Sequence, residues 1–410
     1  MRVALLSDVF ASNMGYLENL LPKYLARQGA EVHLITMDLP PYYWMKEFKQ
    51  TYGQFIESQP AGTVAEQQGY SLHVLGHRRV AGYMRMVGLG GKLRALRPDV
   101  VQTTSVIGWA ALDAAFYRAA LGYELFTGSH MTASVFPLAT KNAPWWNRER
   151  LRCFLLRTLP GRFVSRFAHK CYAVTEDCAH IASRYFGVPC EDVEVMYLGV
   201  DTEYFHPAGS LAESRERGWL RRRLGFEEQD IVCIYTGKLL PEKQVGVLAR
   251  AVGELRRRGL RFRALVVGDG PERALLAQDP SCVLLGFMPF HQLGAYYRAA
   301  DVAVWPGNES TSMLDAAACG LPVVISDRVE YRAPVEGNGR VFHSGSVEHL
   351  SHILEELRDP ASRKRLGLNG AARMAREFSW EAVAARRLRD YRAALPARPA
   401  VRETRESVIS

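Results

Sequence analysis

Two short segments of this 410-residue chain gather side chains suited to holding a phosphorylated ligand. In "PGNESTSMLDAAACGLPVV", residues 306–324, a strand-like run ends at Pro306, hydroxyls follow at Ser310, Thr311 and Ser312, and one carboxylate, Asp315, lies a turn further on. Hydroxyls and unpaired N–H groups where a helix begins can meet phosphate oxygens. A carboxylate one turn in can accept both hydrogen bonds of a ribose diol. The same residues also fit a plain helix cap, with Asp315 favourable to the helix dipole. In "YTGKLLPEKQVGVLARAV" a strand leaves through Gly237, presents Lys238 and enters a helix with Lys243 in its first turn. Two cations beside free N–H groups suit a pyrophosphate. "VVGDGPER", residues 266–273, turns on Gly268 and Gly270, which allow close backbone approach to a ligand. It lacks the full G-x-G-x-x-G spacing of a dinucleotide fingerprint.

Each of these segments follows an apolar run of strand length. The first half reads as strands at 3–8, 31–36, 72–76, 99–104, 124–129, 171–175 and 193–197, most of them separated by helical patterns. The second half restarts at 231–237, then 262–270, 282–287, 302–307 and 322–326. Near-continuous apolar strands alternating with helices imply parallel sheets covered on both faces. The expected fold is α/β, with two doubly wound Rossmann-like domains over 1–200 and 229–377. A polar, charged segment, 201–228, joins them, a helix covers 378–395, and 396–410 is an unstructured tail. Ligands of such sheets sit beyond the carboxyl ends of the strands, so a cleft between the domains is the expected site.

A content of 48% hydrophobic and 23% charged residues is that of a folded soluble protein rather than a disordered one. No signal peptide is read at the start, and the most apolar later stretch is interrupted by Asp113 and Arg118, which argues against a membrane span. Seven cysteines without a C-x-x-C pair sit mostly in apolar runs, as expected of a reducing cytoplasm. The net charge of +9 is densest at 141–170, with eight Lys or Arg against one acid. That Trp-bearing segment can lie on an anionic membrane surface, the alternative being a core helix with a solvated basic face. Neither an Asp-x-Asp at a strand end nor a His-Cys cluster with ligand spacing is present, so no metal is expected. No nucleic-acid motif accompanies the basic balance.

In order along the chain, the residues resemble glycosyltransferase family 4, the nucleotide-sugar enzymes of GT-B type with two facing Rossmann-like domains. "YTGKLLPEK" looks like the family's Gly-Arg/Lys-x-x-x-Glu-Lys segment, and "LDAAACGLPVV" like its Leu-Glu-Ala-x-Ala-x-Gly-x-Pro-Val-Val. "LGVDTEYFHP", residues 198–207, is close to its interdomain motif, and "FSWEAVAARRLRDY", residues 378–391, to its last helix, which crosses back to the first domain. The resemblance implies an N-terminal acceptor domain and a C-terminal donor domain. It places the diphosphate on Lys238 and Lys243, the ribose on Asp315, and the base against Gly286, Phe287 and Met288. Gly15 would let the N-terminal domain approach donor or acceptor, and His130 would orient the transferred sugar or the acceptor.

The chain also departs from the family. Its Glu-x7-Glu signature reads Gly307 and Asp315 here, the segment between Pro306 and Asp315 is short, and Glu309 is the only nearby acid. Glu309 is therefore expected to face the cleft and help choose the sugar. Gln244 replaces the usual Gly after Glu-Lys, and His130-Met131 replaces a His-Asp pair. The implied activity is glycosyl transfer from a nucleoside diphosphate sugar to a glycan, lipid-linked or small-molecule acceptor. Retention of configuration follows from the resemblance, and no cofactor is implied. A peripheral location at the inner face of the membrane, in the cytoplasm, is the accompanying expectation. A non-catalytic nucleotide-sugar-binding subunit and a sugar-nucleotide epimerase are the alternative readings.

Overall fold

The computed structural model describes residues 1–12, 14–41, 43, 53, 56, 58–139, 147–332 and 335–396. The N-terminal domain contains β1 (Arg2–Leu6), β2 (Glu31–Met37), β3 (Val64–Gln67), β4 (Tyr70–Leu75), β5 (His77–Val80), β6 (Tyr83–Met86), β7 (Val100–Thr103), β8 (Glu124–Ser129), β9 (Ala168–Ala173) and β10 (Val193–Val195). Eight of them form one sheet in the order β10-β9-β8-β7-β1-β2-β4-β3. Only the edge strand β3 runs antiparallel to its neighbour. The second domain contains β11 (Ile231–Thr236), β12 (Phe262–Val267), β13 (Cys282–Leu285), β14 (Val302–Trp305), β15 (Val323–Ser326) and β16 (Gly339–Phe342). Their order, β13-β12-β11-β14-β15-β16, is the 3-2-1-4-5-6 arrangement of a doubly wound sheet.

The expected strands are all present. Four others escaped the apolar pattern: β3, β5 and β6 read "VAEQ", "HRRV" and "YMRM", largely exposed or half-buried, and β16 is a four-residue edge strand. Edge and hairpin strands need no apolar run because one side or both stay in water.

The expected linker is largely part of the second domain. Its helix, Leu211–Arg223, starts with a capping box from Ser210 and Glu213. Arg221 is buried and donates to Asp301 Oδ2 and to the carbonyls of Ala299 and Asp230, which fastens the helix to the sheet. The two passages between the domains are knit together. Val200 N–H donates to Phe378 O at 2.8 Å and Trp380 N–H to Val200 O at 3.0 Å. From there the final helix, Trp380–Ala394, returns to the N-terminal domain and packs on helix Leu17–Arg27. Trp380, Val383, Leu388 and Tyr391 enter that domain's core, and burying such side chains contributes about 1.5–3 kcal/mol each. The last fourteen residues, 397–410, lie outside the described part, as do 140–146 and most of 42–57.

A buried ion pair adds a second tie. Lys23 Nζ, on helix Leu17–Arg27, donates to Asp201 Oδ2 at 2.8 Å and Glu203 Oε2 at 2.6 Å, and Tyr24 Oη to Asp201 Oδ1 at 2.6 Å. Lys23 and Asp201 are both fully buried, so removing Lys23 would leave the buried Asp201 charge without its cation at a cost of about 3–5 kcal/mol, whereas Lys23 would keep Glu203 if Asp201 were removed.

Candidate active site

A cleft of about 580 Å3 lies between the domains, beyond the carboxyl ends of β1, β8, β11, β12 and β14. That volume is within the range of small-molecule sites. Its donor-side wall is made by the loops that leave β11, β12 and β14. Gly237 takes φ +145° and Gly268 φ +147°, and a Cβ on Gly268 would come within 1.9 Å of Gly237 O. The expected close approach at Gly268 is thus met by a neighbouring loop, with Gly268 still lining the cleft. Lys238 follows Gly237 into the cleft, and burial lowers its pKa.

Lys243 is held differently. A 3-10 turn, Pro241–Lys243, precedes the helix Val245–Arg257, so Lys243 falls before the first helical turn and not in it. Its Nζ donates to Glu309 O at 2.8 Å, and it is not among the residues lining the cleft. Burial lowers its pKa, the nearby Glu242 and Glu309 charges oppose that, and the Lys238 charge lowers it again, so the two lysines feel each other in one corner that also holds acids.

Of the hydroxyl run, Thr311 and Ser312 line the cleft and Ser310 does not. Ser310 Oγ and Ser312 Oγ are 2.6 Å apart, and Ser312 Oγ donates to Thr236 O at 3.3 Å. Thr311 stands at the N-cap of helix Ser312–Ala318 without a side-chain capping bond, so the plain cap is not what these hydroxyls do. Asp315 lines the cleft at 9% exposure. Burial, and next the charge of Asp201, hold its carboxyl well above the usual carboxylate range. Phe287 and Met288 line the cleft, while Gly286 does not, and a Cβ there would meet open space.

Glu309 corrects an expectation. It is exposed, lies outside the cleft lining, and its Oε1 accepts the Glu330 N–H at 2.8 Å. The loop carries this carboxylate to a backbone donor of the segment after β15, away from the cavity. Gly307, at the family's first glutamate, has no room for a side chain: a Cβ would lie 2.2 Å from Glu242 O and 2.6 Å from Lys243 Cα.

The opposite wall comes from the N-terminal domain. Gly15 approaches so closely that a Cβ on it would lie 2.2 Å from the Phe290 ring of the second domain. His130 follows β8 and opens onto the cleft. The residue is exposed on the cleft side, yet the protein packed around its ring, and next the Arg387 charge, lower its imidazole pKa, so the ring is neutral near pH 7. Glu18, in the first turn of helix Leu17–Arg27, and Trp380 also line the cleft. Sequence reasoning passed over both. The available signal for Glu18 was an acid three residues after Gly15 at a helix start, indistinguishable there from an ordinary dipole-complementing residue.

Two family descriptions match most of the chain: Glycosyltransferase Family 4 over residues 20–204 and Glycosyl transferases group 1 over 230–359. The chain belongs to glycosyltransferase family 4. It is 31% identical over 240 residues to a D-inositol 3-phosphate glycosyltransferase of Streptomyces bingchenggensis, covering 53% of this chain and 51% of that protein. It is 26% identical over 260 residues, 58% and 64% of the two chains, to a GDP-mannose-dependent alpha-(1-6)-phosphatidylinositol dimannoside mannosyltransferase of Mycobacterium tuberculosis. The chain spans about half to two-thirds of the length of these curated relatives. Among solved structures it resembles sucrose-phosphate synthase from Thermosynechococcus elongatus, with TM-score 0.67, 18% identity and coverage of 96% and 98%. Anabaena Alr3699/HepE in complex with UDP-glucose aligns with TM-score 0.62, 18% identity and coverage of 95% and 99%. The shared fold is the family's pair of facing Rossmann-like domains.

Proposed function

We propose that this protein transfers a sugar from a nucleoside diphosphate sugar to an acceptor hydroxyl with retention at the anomeric carbon. One observation carries the reading: a single interdomain cleft brings Lys238, the hydroxyls of Thr311 and Ser312, and Asp315 to one wall and His130 to the other. In this reading Lys238 and the hydroxyls meet the diphosphate, Lys243 adds positive potential from the same corner, Asp315 meets the ribose, and Phe287 and Met288 flank the base. The bond from the anomeric carbon to the diphosphate oxygen breaks, the acceptor oxygen bonds that carbon, and the acceptor's proton passes to the departing diphosphate. Cations fixed beside a leaving group that gains charge stabilise it without reorganisation. Neutral His130 serves as a hydrogen-bond partner of the transferred sugar or the acceptor. No cofactor or metal takes part, so turnover should survive EDTA.

The acceptor class we favour is a polyol or glycan held at a membrane. The continuous helix over 148–165 exposes Leu151, Phe154, Leu155 and Leu159 by 51%, 38%, 50% and 43% along one face. Arg152, Arg157 and Arg162 donate to Ala81 O, Tyr83 Oη and Tyr185 O, neutral acceptors, and among the described residues none of the three enters an ion pair. Exposed apolar side chains ringed by arginines suit the anionic inner face of a membrane. No helix among the described residues is long and apolar enough to cross one.

The test is release of UDP or GDP from UDP-glucose or GDP-mannose, with and without a membrane lipid extract as acceptor. Nucleotide release that rises with acceptor is the expected result. Binding without release would mark a non-catalytic subunit, and conversion to another nucleotide sugar without free nucleotide would mark an epimerase.

A further inference from the structure

Among the described residues the donor wall offers no carboxylate beyond Asp315, which the proposed function gives to the ribose. Gly307 is closed to any side chain by the Glu242 and Lys243 backbone, and the Glu309 carboxylate is turned to the Glu330 N–H. Two carboxyl groups line the described cleft, Asp315 and Glu18. Asp315 is set deep in the donor wall at the start of its helix, beside Ser312 and the Tyr297 hydroxyl, which stands 2.6 Å from Thr236 Oγ1 and donates to Ser312 O. Glu18 stands on the other wall, three residues after Gly15, where the N-terminal domain touches Phe290 of the donor domain.

We propose that Glu18 is a sugar-reading residue: its carboxyl reaches across the closed cleft to hydrogen-bond hydroxyls of the donor's sugar, the task the donor wall leaves undone. This rests on the reading of the cleft as a nucleoside diphosphate sugar site. Three observations bear on it. Glu18 enters no ion pair among the described residues, so its carboxyl is not consumed by a structural cation. It lines the same cleft as Lys238 and Thr311, on the N-terminal domain's side and close to the Gly15–Phe290 contact. Burial raises it to about 7, its own backbone N–H pulling the other way, so near neutrality protonated and ionised forms are both available and the carboxyl can donate to a sugar hydroxyl as well as accept from one.

An acid at a helix N-terminus is ordinarily there for the helix dipole. That role needs an ionised, stabilising carboxylate, whereas the fold disfavours the ionised form of Glu18. The two roles therefore part in experiment. Glu18→Gln in the full chain should leave the affinity for UDP and GDP within twofold of the parent, and thermal stability at pH 7 undiminished. The relative turnover of UDP-glucose, UDP-galactose and GDP-mannose should shift by tenfold or more, because a polar site left mispaired discriminates strongly. Glu18→Asp, one methylene shorter, should give an intermediate shift. Unchanged sugar ratios would overturn the assignment, as would equal losses for free nucleotides and their sugars. So would an altered acceptor KM with donor discrimination intact, which would move Glu18 to the acceptor. A parent protein that bound none of these nucleotides or nucleotide sugars would instead overturn the donor-site reading itself.

Discussion

Asp315 shows how the site sets function against stability. Its folded carboxyl is raised above the ordinary value by burial and by Asp201, so the folded state favours the protonated form. Its penalty is therefore absent below the unfolded pKa, near 4, and grows as the pH rises above it. Asp315→Asn removes that penalty. We expect the variant to melt at a higher temperature than the parent at pH 7, with the gap closing toward pH 4, and to bind donor more weakly, because the ribose diol draws the ionised carboxylate, which accepts two hydrogen bonds where the amide oxygen and NH2 cannot both accept. Melting curves at the two pH values and a donor titration check both halves. A variant less stable at pH 7 with donor affinity intact would make Asp315 purely structural. At this scale much of the donor wall was legible in the sequence. Lys238, Thr311, Ser312 and Asp315 each follow an apolar strand, and a strand's end fixes where the next side chains emerge. Glu309 and Lys243 were not legible in the same way. The spacing told which loop carries them, but the turn at Pro241–Lys243 and the Glu330 N–H decide where their side chains go.

The local elements carry their own strain and exposure. Gln244 takes φ +52° and ψ +34° at the start of helix Val245–Arg257, a left-handed conformation that costs a side-chain-bearing residue roughly 1–2 kcal/mol. Glycine's extra unfolded-state freedom offsets part of that gain, and the Ser344 hydroxyl donates to Gln244 Oε1 at 3.3 Å. Gln244→Gly should therefore stabilise by about 0.5–1 kcal/mol, read from urea unfolding; a loss would mean the Ser344 contact outweighs the backbone. The helix over 148–165 makes the second prediction at this scale. Phe154→Glu with Leu155→Glu should leave folding intact, since both side chains are exposed, and should abolish sedimentation with anionic phosphatidylglycerol vesicles while sparing nucleotide binding. Unchanged sedimentation would return this face to an ordinary solvated helix. Its basic composition was readable in the sequence, but which face points outward was not. Leu151, Phe154 and Leu159 would serve equally as a core stripe, and only the packing of Cys153, Thr158, Gly161 and Val164 inward settles the choice.

At the scale of the whole molecule, the sequence's two strand-helix alternations gave the domains, because each parallel strand carries its own apolar signature. What joins them was less visible. The Val200–Ser379 pairing and the Lys23–Asp201 ion pair connect positions that are remote along the chain, and no local pattern marks such partners. These ties, with Gly15 against Phe290, hold the two walls across one cleft, and the account stands on that cleft taking a nucleoside diphosphate sugar. The most direct measurement is a thermal-shift series with UDP, GDP and ADP and their glucose or mannose derivatives, run on the parent and on Lys238→Ala. A ligand at about 100 times its Kd should stabilise the fold by about 2.7 kcal/mol. The account predicts that one nucleotide class raises the melting temperature of the parent and that Lys238→Ala suppresses the rise, losing about 2–5 kcal/mol of binding. No shift with any nucleotide, or an equal shift in the two proteins, would contradict it.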